Sequence, residues 1–438
     1  MKRGLIWLAA MTVPLLAAES NSFLIRNATV HPVSGPKIEN TSVLVMDGKI
    51  ADIGPKLAAK GKLKVIEGKG LHVYPGMIDA GSPIGLSEIS SIRETVDTGE
   101  IGEFNPQLRA LVAVNPESES IPVTRANGIT TVVATPGNLG GGRGASSSVI
   151  SGQMSMIHLN GWTWEEMEVK RNVGLQITWP VIASGGGRGG DPEMAARFGI
   201  RRTPYAEAKK NQEALVLKLR EFFESARRYQ QAKAAGEPGL KPDLKMEAMI
   251  PVLEGKVAVV VFASREREIR EAVQWAEKEK VKLVLANVRR PGKMTTELAS
   301  KKIPVVLGST FTPPLEDDDP YDEPFSLPGE LAKAGVKFCF ASFGTQFARN
   351  LPYEAAQAVP FGLPYEEALK SVTLNTAEIF GVADQFGSVD KGKVADLIVT
   401  DGDPLEIQTQ LKYMFVAGVQ VDLESKHTKL YKKYLARP

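Results

Sequence analysis

Residues 256–288 read KVAVVVFASREREIREAVQWAEKEKVKLVLANV. An apolar run of strand length, KVAVVVFAS, leads into a charged segment with a helical pattern, EREIREAVQWAEKEK, and a second apolar run, VKLVLANV, follows. Strand, helix and strand in that order form a βαβ unit, whose two strands lie parallel. The alternation continues on both sides. ITTVVATPG and LQITWP precede it, and IPVVLGS and VKFCFAS follow. Helical patterns lie between and beyond them: TTELASKK, PGELAKAG, LPYEAAQAVPFG and YEEALKSVTLNTAEIFG. At least six short β runs alternating with helices favour a (β/α)8 TIM-type barrel over an open doubly wound sheet, giving an α/β fold. No G-x-G-x-x-G follows a strand, so there is no dinucleotide fingerprint.

Outside residues 76–385 the texture changes. Residues 22–75 read as short strands with tight turns, including SVLVMDGKIADIG around Asp47-Gly48, a strong hairpin signal. The far end repeats it, with SVDKGKVADLIVTDGDPL and KYMFVAGVQVD turning at Gly392, Gly402 and Gly418. Two β-rich ends flanking an α/β middle predict a small β-sandwich domain formed by segments 19–75 and 386–438 around a barrel of residues 76–385. The long charged stretch 204–236 predicts one helix or a helix pair, with Leu215, Leu217, Leu219, Phe222 and Phe223 among its apolar residues.

The first residues, MKRGLIWLAAMTVPLLAAES, place Lys2 and Arg3 before an apolar run and Ala17-Ala18 after it. This is the layout of a secretory signal peptide over 1–18, which predicts a periplasmic or extracellular protein. The only cysteine, Cys339, cannot form an internal disulfide. The chain has 438 residues, with 53 Lys+Arg against 51 Asp+Glu and a formal charge of +2, so no charge excess points to nucleic acid. A hydrophobic content of 43% and a charged content of 24% exclude a disordered chain. No other stretch is apolar over 18 residues, so no membrane span is expected.

Barrel enzymes keep their chemistry at the C-terminal strand ends. Here those ends carry Gly81, Ser82 and Pro83, then Phe262, Ala263 and Ser264, then Ala286 and Asn287, then Ser342 and Phe343. None is a His, Asp, Glu or Cys, the residues that hold a catalytic metal. Ser82, Ser264 and Ser342 are possible nucleophiles or plain turn residues, and no G-x-S-x-G elbow surrounds them. The four histidines, His31, His72, His158 and His427, are scattered.

In order along the chain, LVMDGKIADIG, HVYPGMIDAGSPIGL, RANGITTVVATPG, the 252–288 stretch, LAKAGVKFCFASFG, RNLPYEAAQAVPFGLPYEEALKSVTLNTAEIFGV and GSVDKGKVADLIVTDGDPLE resemble the amidohydrolase superfamily, in particular its imidazolonepropionase-like branch. The resemblance covers roughly residues 22–425 and implies a (β/α)8 barrel with a small β-sandwich from both chain ends. It also implies hydrolysis at a zinc or other divalent metal held by a PG-[FLM]-ID-x-H-x-H motif and later ligands. Here that frame reads Pro75-Gly76-Met77-Ile78-Asp79-Ala80-Gly81-Ser82-Pro83, so Gly81 and Pro83 stand at the two histidine positions. The family's strand-five and strand-six histidines fall on Phe262 and Asn287, and its late catalytic aspartate on Phe343, or on Ser342 if the register slips. A metal-bridging lysine of some members falls near Gln176. Phe cannot bind a metal, and Asn offers only a neutral oxygen.

Two expectations follow. One is an exported, inactive or impaired amidohydrolase-like protein without cofactor, serving as partner or binding subunit in a homo- or hetero-oligomer with an active amidohydrolase. The other is a hydrolase of C–N bonds, non-peptide or dipeptide, with a relocated site. For the second, Glu316, Asp317, Asp318, Asp319, Asp322 and Glu323 are carboxylate candidates, either a Ca²⁺-binding cluster or a solvated acidic loop. The Gly-rich runs 137–148 and 184–190, with Arg143 and Arg188, could cradle an anion or serve as loops over the barrel mouth. Trp162, Trp164 and Trp179 are a candidate cluster for a pocket, an interface or the core.

Overall fold

A computed structural model describes residues 21–58, 63–137, 148–183, 203–316 and 318–437. The expected signal peptide over 1–18, together with Arg143, Arg188 and Asp317, lies outside the described residues.

Eight strands form the barrel sheet: β6 (Met77–Ser82), β7 (Ile129–Ala134), β8 (Ile150–His158), β9 (Glu168–Thr178), β10 (Val259–Phe262), β11 (Leu283–Ala286), β12 (Val305–Leu307) and β13 (Phe338–Phe340). They are ordered consecutively in space. Strands alternate their side chains between two faces. Inside lie Ile78, Ala80, Val133, Met154, Val260, Val284, Val306 and Cys339. Outside, Leu175, Val259, Val261, Leu285, Val305 and Phe338 pack with Ile269, Val273, Leu298, Leu331 and Leu369. The helix Glu266–Glu279 is the crossover expected from 256–288, and β10 and β11 pair in parallel, Val259 opposite Leu283.

One strand departs from a regular (β/α)8 pattern. The β8 strand runs antiparallel to both β7 and β9. The sequence reading missed it, because Gly152, Gln153 and Ser155 break its apolar pattern. Its direction follows from connection length: only residues 159–167 join it to β9, too few for a parallel crossover. Between the first and last strands the seam is closed by individual bonds beyond β13. Phe343 N–H donates to the Gly81 carbonyl at 2.9 Å, and Ser342 N–H to Asp79 Oδ1 at 3.0 Å.

The chain's two β-rich segments join in a second eight-stranded sheet. It comprises β1 (Phe23–Val30), β2 (Ile38–Met46), β3 (Lys49–Gly54), β4 (Lys64–Glu67), β5 (His72–Pro75), β14 (Leu397–Thr400), β15 (Leu411–Val416) and β16 (Val419–Gln420). The strands form one branched path that folds over on itself, Phe23 of β1 stacking on Phe415 of β15 at 4.0 Å, and β1 pairs in parallel with β4 through residues 23–26 and with β5 through residues 29–30. Irregular register at Ala28 separates those two pairings, and the inward side chains make one core. Asp47 and Gly48 both have positive φ, 50° and 75°, as the predicted hairpin turn requires.

The 204–236 stretch is a single helix, Tyr205–Ala234, packed through Leu219, Phe223 and Ala226, with Phe223 edge-on to Trp275 at 5.1 Å. Leu217, grouped with its apolar residues, is 55% exposed because the burying face passes through 219, 223 and 226. Of the three tryptophans, Trp179 is buried against Trp275 and Trp164 packs partly buried on the same core, whereas Trp162 is 83% exposed. Among the described residues no helix is long and apolar enough to cross a membrane.

Candidate functional site

The strand-end positions singled out above meet at the barrel mouth. Gly81 is the penultimate residue of β6, Phe262 ends β10, Asn287 directly follows β11, and Phe343 lies three residues past β13. Asn287 and Phe343 both take left-handed φ, 56° and 45°, which turns the chain sharply off the strand. The Phe262 and Phe343 rings contact each other, centroids 5.1 Å apart. A β-carbon on Gly81 would lie 2.8 Å from Cε1 of Phe343, so the Phe343 ring fills the space a longer residue at 81 would need. On the other side of that ring, a β-carbon on Gly308 would lie 3.4 Å from Phe343 Cδ2 and 3.2 Å from Asn287 Oδ1. Pro83 is buried and its carbonyl accepts the Leu86 N–H, which makes it part of a turn. Gln176 is buried on β9, opposite Val260, and its Oε1 has no partner.

This donor set does not fit a divalent metal. Two aromatic rings, a glycine, a proline and one amide supply no imidazole, thiolate or carboxylate ligand. Among the described residues no three His, Cys, Asp or Glu side chains group to hold an ion. The histidines are engaged elsewhere. His31 and His72 face each other at 3.0 Å in the flanking sheet, where burial, then His72, lowers His31 to a pKa of about 4. His158 Nε2 pairs with Asp396 Oδ2 at 3.0 Å, tying β8 to the flanking sheet. His427 lies near Arg349.

One carboxyl does reach the mouth, and no neighbouring residue in the chain signals its partner. Asp79 on β6 is fully buried and accepts from the Gly81 N–H at 3.1 Å, the Ser342 N–H at 3.0 Å and the Ser342 hydroxyl at 2.5 Å. Burial dominates over these donors and raises its pKa from 3.8 to about 7. The Ser82 hydroxyl donates to the Gly344 carbonyl at 2.9 Å, and Ser342 Oγ, its one proton directed to Asp79, lies 3.0 Å from the same oxygen. Ser264 sits at a helix entry instead, its N–H bonded to Glu268.

Beside Phe343 lies a pocket of about 210 Å³ lined by Asn287, Arg289, Ser309, Thr310, Glu323 and Ser342 among others. Glu354 fixes its rim: this buried carboxylate accepts from the Ser309 hydroxyl, the Thr310 N–H and hydroxyl, and the Phe311 N–H. Burial lowers the pKa of Arg289 and raises that of Glu323. In the acidic loop, Asp319 pairs with Arg290 at 2.9 Å and Glu316 with Arg265 at 2.7 Å, arginines from the β10 and β11 loops, while Asp318 is exposed to solvent. Nothing in residues 313–325 alone announces those distant arginines.

Residues 327–423 match the amidohydrolase family. An amidohydrolase of Hapsidospora irregularis, tasK, is 24% identical over 90% of this chain and 42% of its own length. Imidazolonepropionase of Flavobacterium johnsoniae is 30% identical over 23% of this chain and 25% of its own. The chain thus spans less than half the length of either relative. Among solved structures, an amidohydrolase from Thermotoga maritima superposes with a TM-score of 0.77 at 27% identity, covering 91% of this chain and 99% of that one.

Proposed function

Because the chain belongs to the amidohydrolase superfamily, we propose that it is a copy of the hydrolase scaffold without the family's metal centre, exported and acting as a binding or partner subunit of an active amidohydrolase. One observation carries the reading: the Phe343 ring, packed on Phe262 and against Gly81, occupies the region where the family's ligands would converge. A metal there would need those rings displaced and at least three new donors. The scaffold itself is intact, and the pocket beside Phe343 keeps polar lining suited to holding a small ligand.

Elemental analysis of the purified protein tests the reading. It expects no bound Zn, Fe or Mn; one or two equivalents per chain, with hydrolysis of a cyclic amide or dipeptide abolished by chelator, would overturn it. Co-purification from the native host tests the partner role, and a purely homomeric species at native abundance refutes it.

The second reading, a C–N hydrolase with a relocated site, draws on a specific observation. Ser342 lines the pocket and its hydroxyl donates to the buried Asp79. Such a carboxylate can accept the serine proton as the hydroxyl oxygen attacks an acyl carbon and pass it to the amine that departs as the C–N bond breaks, leaving an acyl-serine that water hydrolyses. Hydrolysis that persists in chelator and disappears in Ser342→Ala and Asp79→Asn would favour it. Under the first reading the same two variants leave binding of the partner subunit unchanged.

A further inference from the structure

The helix Lys426–Leu435, KHTKLYKKYL, buries none of its residues fully and meets the rest of the protein only near helix Ser120–Arg125 and at His427 beside Arg349. It is held at its start, where the Ser425 hydroxyl accepts the Thr428 N–H and the Thr428 hydroxyl accepts the Ser425 N–H. A helix of this length is marginal in water without a packed face. Its faces are nonetheless sharply divided. At 100° per residue, Leu430, Tyr434, His427, Tyr431 and Leu435 fall on one arc of about 140°. Lys426, Lys429, Lys432 and Lys433 take the opposite side, and the helix holds no acidic residue. Most of the apolar stripe faces solvent, with Tyr431 67%, Leu435 70%, Tyr434 52% and Leu430 38% exposed, and Arg437 lies over the Tyr434 ring at 4.5 Å. Lys429 and Lys432 share Glu424, at 3.9 and 2.8 Å, while Lys426 and Lys433 have no ion pair among the described residues.

We infer that this helix docks on an anionic lipid surface, with Leu430, Tyr431, Tyr434 and Leu435 entering the interface and the lysines against lipid phosphates. Charge complementarity selects the lipid's sign. The apolar stripe selects a bilayer over an acidic protein surface or a soluble polyanion, because the leucines need an apolar phase and tyrosine rings settle at headgroup level. Such a helix lies in the interface plane without crossing it.

Flotation of the full chain with phosphatidylcholine vesicles, with and without phosphatidylglycerol, tests this at low salt. The expected result is binding to the anionic vesicles alone, lost as salt rises. Lys426→Gln with Lys433→Gln weakens it roughly 30-fold, since each cation near the surface contributes about fivefold. Both side chains are exposed and unpaired, so folding is unaffected; urea melts check this. As a second readout, Tyr434→Trp fluorescence shifts to the blue on anionic vesicles. Absence of binding to anionic vesicles, equal binding to neutral ones, or a self-association lost in Tyr434→Ser with Leu435→Ser without any vesicle binding would each overturn the inference.

Discussion

Replacing Asp79 with asparagine tests the electrostatics of the barrel mouth. The folded protein holds the Asp79 proton up to about pH 7, whereas the unfolded chain releases it near the ordinary 3.8. Between those values unfolding releases a proton, so rising pH favours the unfolded state. Stability is therefore fully present below about pH 4 and declines until about pH 7, above which both forms are ionised. The gap between 3.8 and about 7, at 1.36 kcal/mol per pH unit, amounts to about 4 kcal/mol. The amide of the variant is neutral throughout, and its carbonyl oxygen retains an acceptor for the Gly81 and Ser342 N–H groups. Relative to wild type, Asp79→Asn should gain about 4 kcal/mol between pH 4 and pH 8, every other titrating group cancelling in the difference. Urea unfolding followed by circular dichroism at several pH values measures it. A stability difference that stays constant with pH would refute the reasoning, because the three donors would then have outweighed burial.

Other expectations concern packing and pairing. Gly81→Ala should cost about 1–3 kcal/mol, since its β-carbon collides with Phe343, and much less in a Phe343→Leu background. A thermal-denaturation double-mutant cycle reads that coupling, and equal costs in both backgrounds would rule out the contact. His158→Ala should destabilise by about 2 kcal/mol by stripping a partner from the buried Asp396, measured by chemical denaturation. Unchanged stability would show the pair to be idle. Cys339 is buried and its thiol pKa is pushed up by that burial, so a thiol reagent should leave the native chain unmodified and label one site in urea. Rapid native labelling would contradict the placement.

Local patterns were legible wherever a short segment determines its own shape. The Asp47-Gly48 turn and the 256–288 unit are examples, because turn chemistry and hydrophobic period act within a few residues. The five mouth positions Gly81, Pro83, Phe262, Asn287 and Phe343 could be named one by one, yet the sequence could not say that Phe343 fills the space beside Gly81. That contact joins residues from the first and last barrel strands. Ser342 drew notice as a strand-end hydroxyl, but its partner Asp79 lies 263 positions away and has no local signature. The β8 strand escaped for another reason: its strength lies in pairing with β7 and β9, not in its own composition. Likewise the pairing of Glu316 and Asp319 was hidden because Arg265 and Arg290 lie elsewhere in the chain.

The flanking sheet has a kinetic consequence. The β14 strand pairs with β5, with Leu397 opposite Pro75, 322 positions earlier. During synthesis, β1 to β5 emerge first but lack their neighbour until the whole barrel has been made. The edge of β5 therefore stays open to wrong pairings throughout barrel folding, and the late arrival of residues 397–400 sets when the sheet can close. Pairing across this sequence distance thus waits on the barrel, which brings the two segments together.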